Sequence, residues 1–405
     1  MGAEQQPSSL LPGLPDDIAL DCLLRVPYSS HSGLRCVCRQ WRDLLTSPFF
    51  YQQRRNSGAA ESLVCLIQAL VAEEEGDGAG EHAVGGPGDG GGAVDKAQAK
   101  NSRCGAGPVY GLSLYNATLR EWRRLPSKGY AVPLFAQCAA VQASGKLVLL
   151  GGWDPVTFDS VRDVWVVDLV TGRRRRGAPM PAARSFFACA AVGPLVYVAG
   201  GHDNQKNALR SAEAYDPEAD EWRSLPPMAD ERDECQGVAH GGCFWVISGY
   251  GTDSQGRFDR AAECYDPSTG LWSKEEGLWG EDDEPGGPAP PRSSCFVLPP
   301  PLAADRDRRQ EGKLCHLDCH GERRGIREYD PKERKWKAVD GVPECLKSSP
   351  CAAPVAGSGE LLVMGSDEEQ RHGAWVMEAA TRRWTRVETP TGFTGFAFSA
   401  ASVLV

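Results

Sequence analysis

The chain has 405 residues, a formal net charge of −10 at pH 7 and 15 cysteines. An acidic chain of this kind is not suited to general nucleic-acid binding, because the phosphate backbone repels it. The sequence begins without the charged and apolar regions of a secretory signal, and no apolar run reaches the length that crosses a membrane. An odd number of cysteines without a recognisable framework fits a reducing compartment. We therefore expect a protein of the cytoplasm and nucleus that has neither a nucleic-acid nor a membrane partner.

Residues 10–56 carry helical signals, after a tail over residues 1–9 that we expect to be flexible. Pro15 stands at a first helical turn beside two acidic residues that complement the helix dipole, and Pro27 ends this first helix. A second helix is predicted because apolar residues recur at i, i+3, i+7, i+10 and i+11, the spacing of one buried face. These residues are Leu34, Val37, Trp41, Leu44 and Leu45. A segment this short cannot bury a large core, so we expect it to need a partner.

From residue 57 onward, a strand-and-turn motif recurs about every fifty residues. Its marks are Tyr115-Asn116, Val167-Asp168, Tyr215-Asp216-Pro217, Tyr265-Asp266-Pro267, Tyr329-Asp330-Pro331 and Met377-Glu378, which lie 52, 48, 50, 64 and 48 residues apart. In five of the six units a tryptophan follows, and Arg174 stands where the second one would fall. The tryptophans are Trp122, Trp222, Trp272, Trp336 and Trp384. A period of this size predicts a toroidal repeat array, in which each tryptophan fills the gap between adjacent sheets.

Apolar strands that end in glycine recur with the same phase. Gly151-Gly152, Gly200-Gly201 and Gly249 follow such strands at intervals of 49. Glycine there permits positive φ and a close approach of neighbouring backbones. Each unit is therefore predicted to be a four-stranded antiparallel blade, and six marks predict six blades. The first unit, at Leu63, lacks its inner strand, so we expect residues 396–405 to complete it and close the ring.

Two stretches, residues 73–108 and 281–312, interrupt the repeat. The first is Gly-rich and is expected to be a flexible loop between the second and third strands of the first blade. The second contains acidic, then Pro-rich, then Arg-rich sequence and is also expected to be a loop. Loops on a propeller face often carry binding function, but loose composition is common in loops of any kind. The roles of both stretches stay open.

Two further patterns could carry chemistry. The run Cys315-His316-Leu317-Asp318-Cys319-His320 has metal-ligand residue types, but on a strand its cysteines and histidines face opposite sides, so we expect no metal and no cofactor. The four arginines at 173–176 could form a nuclear-import patch, an acid-binding strip or a solvated β-turn. No Ser/His/Asp or paired-carboxylate set stands at a recognisable spacing, so no catalytic residue is expected.

The repeat units resemble kelch repeats at Arg184-Ser185-Phe186, Gly200-Gly201, Tyr215-Asp216-Pro217 and Glu221-Trp222. The N-terminal segment resembles the F-box, a three-helix module that docks on the Skp1 adaptor of a cullin-RING ubiquitin ligase; the alternative is an ordinary helical cap on the propeller. Its matching runs are Leu14-Pro15, Val26-Pro27 and Val37-Cys38-Arg39-Gln40-Trp41. Together the resemblances imply an all-β six-bladed kelch β-propeller over residues 57–405 with a small all-α F-box over residues 10–56. The residues expected to contact Skp1 are Leu14, Pro15, Ile18, Leu23, Val26, Pro27, Val37 and Trp41.

Longer runs resemble the plant kelch-repeat F-box group that includes the KISS ME DEADLY proteins. They are Gly151-Gly152-Trp153-Asp154-Pro155, Arg184-Ser185-Phe186-Phe187 and Glu231-Arg232-Asp233-Glu234-Cys235. This resemblance implies a non-catalytic substrate receptor of an SCF ubiquitin ligase, which reaches cullin-1 and the RING subunit through Skp1. The implied target is phenylalanine ammonia-lyase or a type-B cytokinin response regulator. The alternatives are a small-molecule or sugar-binding sensor, a propeller enzyme, and an F-box scaffold that acts without ubiquitination.

The kelch resemblance also implies where the target binds. In kelch propellers, the loops that enter each innermost strand and those that leave the glycine doublets line one mouth of the central channel. The positions here are Trp153, Arg184, Ser185, Phe186, His202, Arg232, Asp233, Glu234, Tyr250, Arg292, Ser293, Ser294, Lys347 and Ser348. Charged and aromatic side chains at such a mouth are types that form interface hot spots. The alternative is that Arg184 and Arg232 pair with acids and brace neighbouring blades.

Overall fold

The computed structural model describes residues 9–71, 109–126, 131–279, 295–299, 312–319 and 324–405. Within these ranges, four short helices precede a ring of six four-stranded antiparallel sheets. The tail expected over residues 1–9 lies outside the described residues except for its last residue, and the loop expected over residues 73–108 lies wholly outside them.

The helical module has four helices among the described residues, where the resemblance implied three. They are α1 (Asp16–Leu24), α2 (His31–Leu34), α3 (Arg39–Leu45) and α4 (Pro48–Asn56). The prediction of one continuous second helix is wrong, because the chain turns over residues 35–38 and α3 starts afresh. Cys38 caps α3 by accepting a hydrogen bond from the backbone N–H of Trp41. Pro15 precedes α1 as its N-cap and does not enter its first turn.

The six blades follow one another along the chain. Blade 1 contains β1 (Ser62–Ala69), β2 (Tyr110–Asn116) and β3 (Glu121–Leu125); blade 2 contains β4 (Gln137–Val141), β5 (Lys146–Leu150), β6 (Val164–Asp168) and β7 (Arg174–Arg176); blade 3 contains β8 (Ala188–Val192), β9 (Leu195–Ala199), β10 (Ala212–Asp216) and β11 (Glu221–Ser224). Blade 4 contains β12 (Gln236–His240), β13 (Cys243–Ile247), β14 (Ala262–Asp266) and β15 (Leu271–Glu275); blade 5 contains β16 (Cys295–Leu298), β17 (Lys313–Asp318), β18 (Gly325–Asp330) and β19 (Lys335–Asp340); blade 6 contains β20 (Ser348–Val355), β21 (Glu360–Ser366), β22 (His372–Glu378) and β23 (Trp384–Val387).

Blade 1 is completed by β24 (Ala397–Leu404), which pairs antiparallel with β1 so that Ser62 lies opposite Leu404. Glu61 and Val405 extend this pairing with two backbone hydrogen bonds of 2.6 and 2.9 Å. The innermost strands of neighbouring blades touch in a closed circle, in the order β24, β4, β8, β12, β16 and β20. The predicted six-bladed ring, closed by the strand at residues 396–405, is confirmed.

The blades are held together by apolar clusters and by the recurring tryptophans. One cluster of buried side chains lies at each of the six interfaces between blades. Each of the five tryptophans donates its indole N–H to a carbonyl oxygen of the preceding blade, as Trp222 does to Ala178 at 2.8 Å and Trp122 to Glu388 at 3.0 Å. Arg174 takes the same place in blade 2 and donates to the carbonyl oxygen of Pro126. The predicted role of the tryptophans in filling the gaps between sheets is thereby confirmed.

The stretch at residues 281–312 is not a single loop. Residues 295–298 form β16, the innermost strand of blade 5. That part of the prediction is wrong, because a strand of four residues beside Pro-rich sequence is too short to show a clear apolar pattern. Residues 280–294 and 300–311, which include Arg292, Ser293 and Ser294, lie outside the described residues.

Candidate functional site

The propeller has two faces that differ in their loops. The helical module rests on the face formed by the turns between the first and second strands and between the third and fourth strands. There Arg35 donates to the carbonyl oxygen of Val170 at 2.9 Å, and Arg55 donates to that of Gln142 at 2.7 Å. We call the opposite face the distal face. It carries the loops between second and third strands and the connections from each blade to the next.

The predicted target-binding mouth lies on the distal face, but nine of its described side chains are buried. Among these nine, Ser185 and His202 are 0% exposed, and Glu234, the most exposed of them, reaches only 9%. The buried members are Trp153, Arg184, Ser185, Phe186, His202, Arg232, Asp233, Glu234 and Tyr250. Contrary to expectation, these residues do not form an open surface, because they bond to one another and to the blades. Lys347 and Ser348 are half-buried.

Arg184 shows what the buried arginines do. Its guanidinium donates to the carbonyl oxygen of Gly200 at 2.8 Å and to the carboxylate of Glu213 at 2.5 Å, both in blade 3. Its own carbonyl oxygen accepts the N–H of Gly152, in blade 2, at 3.3 Å. Burial lowers the pKa of this arginine, and the pairing with Glu213 opposes the shift. Arg184 therefore ties two neighbouring blades together.

Arg232 repeats this arrangement one blade later. Its guanidinium contacts the carboxylate of Glu263 at 3.1 Å and the carbonyl oxygen of Ser248 at 2.9 Å, while its own carbonyl accepts the N–H of Gly201 at 2.8 Å. The first glycine of the doublet is also explained, because a Cβ on Gly200 would lie 2.5 Å from the carbonyl oxygen of Arg232. The bracing alternative for the two arginines is the one that the structure supports.

The distal face also contains a Ser–His–Asp arrangement that the sequence spacing did not reveal. Ser185 Oγ lies 2.9 Å from His202 Nε2, and His202 Nδ1 lies 2.8 Å from Asp233 Oδ1. This order of contacts is that of a hydrolase triad. However, Ser185 is fully buried, its Oγ accepts the indole N–H of Trp153 at 2.7 Å, and it contacts Ser160 Oγ at 3.0 Å. The arrangement therefore joins loops of adjacent blades and offers no open nucleophile.

Exposed side chains of the distal face stand at the tips of the loops between second and third strands and also in the connections between blades. In blades 2, 3 and 6 these loops contain similar turns, in which an aspartate side chain accepts backbone N–H groups from residues that follow it; the turn of blade 2 is one residue longer. The aspartates are Asp154, Asp203 and Asp367. In each turn one residue has φ between 60° and 65°, and its side chain differs from blade to blade: Phe158, Lys206 and Gln370.

The loops of blades 2, 3 and 4 are tied side by side. The N–H of Ser160 donates to Asn204 Oδ1 at 2.6 Å, and the N–H of Ala208 donates to Thr252 Oγ1 at 3.0 Å. We call residues 154–159, 203–207 and 252–257 the distal loop arc. Its most exposed large apolar side chains are Val156, at 82%, and Phe158, at 40%. Neither residue was predicted from the sequence. The signal that could have revealed them is a loop-tip position whose residue type changes between otherwise similar repeats.

The F-box segment presents apolar side chains to solvent. Leu14, Ile18 and Val37 are 40%, 50% and 61% exposed, and Pro15 and Pro27 are exposed as well. Val26 and Trp41 are half-buried, and Trp41 donates its indole N–H to the carbonyl oxygen of Leu10 at 2.8 Å. Leu23 is buried in the core of the module, with Leu24, Leu45 and Phe50, so it is not part of this surface. Phe49, which the sequence analysis did not select, is 53% exposed.

The arginines at 173–176 are largely engaged in contacts. Arg174 bonds to blade 1, Arg175 pairs with Asp220 at 2.8 Å, and Arg176 pairs with Asp163 at 2.6 Å. The strip is therefore not a free basic patch. Within the described ranges, no helix has the length and apolar character needed to cross a membrane, and no three His, Cys, Asp or Glu side chains are grouped as a metal site.

Comparison with known proteins agrees with both parts of this architecture. The F-box domain family matches residues 11–53, and the Kelch motif family matches residues 134–181 and 183–229. The F-box/kelch-repeat protein SKIP20 of Arabidopsis thaliana is 40% identical over 420 aligned positions, which cover 98% of this chain and 97% of that protein. The chain is an F-box/kelch-repeat protein. A second Arabidopsis thaliana member, F-box/kelch-repeat protein At2g44130, is 39% identical over 100% of this chain and 98% of its own length.

Membership of the F-box/kelch-repeat family indicates the general role of each part of the chain. The exposed apolar residues of the helical module belong to an F-box, a module that binds Skp1-type adaptors. The distal loop arc belongs to a kelch propeller, the part of such proteins that takes a protein target. The F-box lies on the face of the ring opposite the distal loop arc.

Proposed function

We propose that this protein is the substrate-recognition subunit of an SCF ubiquitin ligase and has no catalytic site of its own. Its F-box docks on Skp1, which links it to cullin-1 and the RING subunit, and its propeller holds a protein that is to be ubiquitinated and degraded. The observation that carries the proposal is the placement of an F-box with exposed apolar side chains opposite a rigid arc of exposed loop tips. The propeller thereby keeps a bound target at high local concentration near the conjugating enzyme.

We place the target on the distal loop arc. The arc is preorganised by hydrogen bonds between neighbouring loops, so little conformational entropy is lost when a partner binds. Val156 and Phe158 provide an apolar anchor, and Lys206, held 4.1 Å above the ring of Trp153, places a cation beside it. Phenylalanine ammonia-lyase and type-B cytokinin response regulators are the candidate targets, on the resemblance to the plant kelch-repeat F-box group alone.

The docking of Skp1 is tested by replacing the exposed N-cap residue of α1 and the exposed residue before it. Leu14→Ala with Pro15→Ala should abolish co-purification with Skp1 while the thermal unfolding of the propeller stays unchanged. Leu271→Ala is the matched control, because Leu271 is a 66% exposed leucine on the outer strand of blade 4. Co-purification that survives the double substitution would overturn the assignment of the Skp1 surface.

The target surface is tested by affinity capture from plant extract with the Leu14→Ala, Pro15→Ala protein, which should hold targets without degrading them. Val156→Ser combined with Phe158→Asn removes the apolar anchor, and asparagine tolerates the left-handed backbone at position 158. Captured proteins that are lost from this variant and retained by Leu271→Ser support the proposal. Capture that is unchanged in both variants would move the target site away from the arc.

A further inference from the structure

A buried ionic network joins the F-box to the propeller. Arg54, on α4, is 0% exposed, and its Nη2 lies 2.9 Å from Oε1 of Glu61. Glu61 immediately precedes β1 and is 5% exposed. Its second carboxylate oxygen accepts a hydrogen bond of 2.5 Å from Asn116 in β2, and its backbone pairs with Val405. Glu61 is therefore fixed to the propeller through Asn116 and Val405.

The same ion pair holds the segment that follows α1. Arg54 Nη1 donates to the carbonyl oxygens of Leu24 and Val26, each at 2.7 Å, and the Glu61 carboxylate accepts the N–H of Tyr28 at 2.7 Å. Carbonyl groups at the end of a helix have no partners within the helix and need others. Here the Arg54 guanidinium is the partner of these carbonyl groups, and it thereby fixes the backbone conformation of residues 24–28.

This segment carries part of the expected Skp1 surface, since it includes Val26 and Pro27. The position of Arg54 depends on Glu61, because a buried guanidinium without a carboxylate partner is strongly unfavourable. The planar guanidinium of Arg54 also fixes the orientation of the carbonyl groups that it binds, because its N–H donors point in fixed directions. His31, whose Nε2 lies 3.2 Å from Arg54 Nη1, supplies no compensating negative charge.

We propose that Glu61, a propeller residue outside the F-box helices, is a positioning residue for the Skp1-binding surface. Through Arg54 it fixes the conformation of residues 24–28, so that the affinity for Skp1 depends on an intact first blade. This inference rests on the proposed function, because Skp1 is the ligand concerned. It follows that the F-box of this protein reaches its Skp1-binding conformation only when it is joined to the propeller.

The experiment uses the full chain and purified Skp1, with affinity measured by calorimetry and the unfolding midpoint measured separately. Glu61→Gln should weaken Skp1 binding at least tenfold, and Glu221→Gln, an exposed control at the start of β11, should not change it. The double variant Arg54→Met, Glu61→Leu removes both buried charges and should recover the midpoint. It should not recover the affinity, because methionine cannot donate to the carbonyl groups of Leu24 and Val26.

Each outcome bears on the proposal. A Glu61→Gln protein that binds Skp1 like the wild type overturns it, and so does a double variant that recovers affinity together with stability. Hydrogen exchange provides a second measurement on folded Glu61→Gln protein. Faster exchange of the amides of residues 26 and 28–30, with unchanged exchange in blades 3 and 4, supports the proposal, and unchanged exchange of those four amides overturns it. A wild-type chain that does not bind Skp1 refutes the proposed function itself, which separates the two failures.

Discussion

Replacing Gly200 by alanine tests whether the contact between blades, and not the turn alone, requires glycine. Gly200 has φ of 68° and Gly242 has φ of 75°, so alanine meets a similar left-handed strain at both positions. A Cβ at Gly200 would lie 2.5 Å from the carbonyl oxygen of Arg232 and 2.9 Å from the sulfur of Cys235. At Gly242 nothing lies within 4 Å of an added Cβ. The two substitutions therefore differ in the contact alone.

The expected magnitudes follow from the bonds that the contact disturbs. Left-handed strain costs about 1–2 kcal/mol at either position. At Gly200 the displaced carbonyl of Arg232 also loses its hydrogen bond with Gly201, which contributes about 1 kcal/mol. The shift further disturbs the buried pair of Arg232 and Glu263, whose complete loss costs about 3–5 kcal/mol. We expect Gly242→Ala to lower the free energy of unfolding by about 1–2 kcal/mol and Gly200→Ala to lower it by roughly 3 kcal/mol or more.

The assay is urea denaturation of the full chain, followed by tryptophan fluorescence and circular dichroism. Both variants should bind Skp1 normally at low urea, because neither position contacts the F-box. Equal losses of unfolding free energy for Gly200→Ala and Gly242→Ala would contradict this explanation. They would show that the doublet needs glycine only for its backbone angles.

Three further outcomes are expected. Acidification from pH 7.5 to 5 should cost about 2 kcal/mol through His31, because burial and the Arg54 cation lower its pKa from 6.5 to about 4. This stabilisation is present above pH 6.5 and is lost as the pH falls toward 4, so denaturation of His31→Gln should depend less on pH over that interval. Trp222→Phe removes the indole hydrogen bond to Ala178 and should lower the free energy of unfolding by about 1 kcal/mol in urea titrations. Deletion of residues 396–405 should expose the edge of β1 and cause aggregation, measured by light scattering; a truncated chain that melts like the full one would contradict the closure.

The ring could be predicted from the sequence because its determinants recur at a fixed phase. Trp222 and its counterparts fill equivalent gaps between neighbouring blades, and the glycine doublets make equivalent close contacts with the next blade. Each repeat therefore supports the prediction of a blade at the next repeat. The proposed target surface could not be found in this way. Arg184 and Arg232 also recur in phase, and for the same reason: they serve packing that neighbouring blades share. The residues that we propose for target recognition are instead side chains that differ between similar loop tips, as Phe158 and Lys206 do.

Other features depend on contacts that no local pattern reveals. The Ser185, His202 and Asp233 side chains are separated by 17 and 31 residues and meet only because adjacent blades place their loops together. The break before α3 depends on the sulfur of Cys38, a cap that is not among the residue types that usually start a helix. Both features could be recognised only in the packed structure.

The closure of blade 1 sets the order in which this protein can mature. The F-box leaves the ribosome before the propeller, yet the edge of β1 that pairs with β24 obtains its partner only when Leu404 and Val405 have been synthesised. Until then β1 presents an unpaired edge, and nascent chains with such edges are prone to associate with one another. Pairing of β24 with β1 is thus the step that covers this edge and completes the ring.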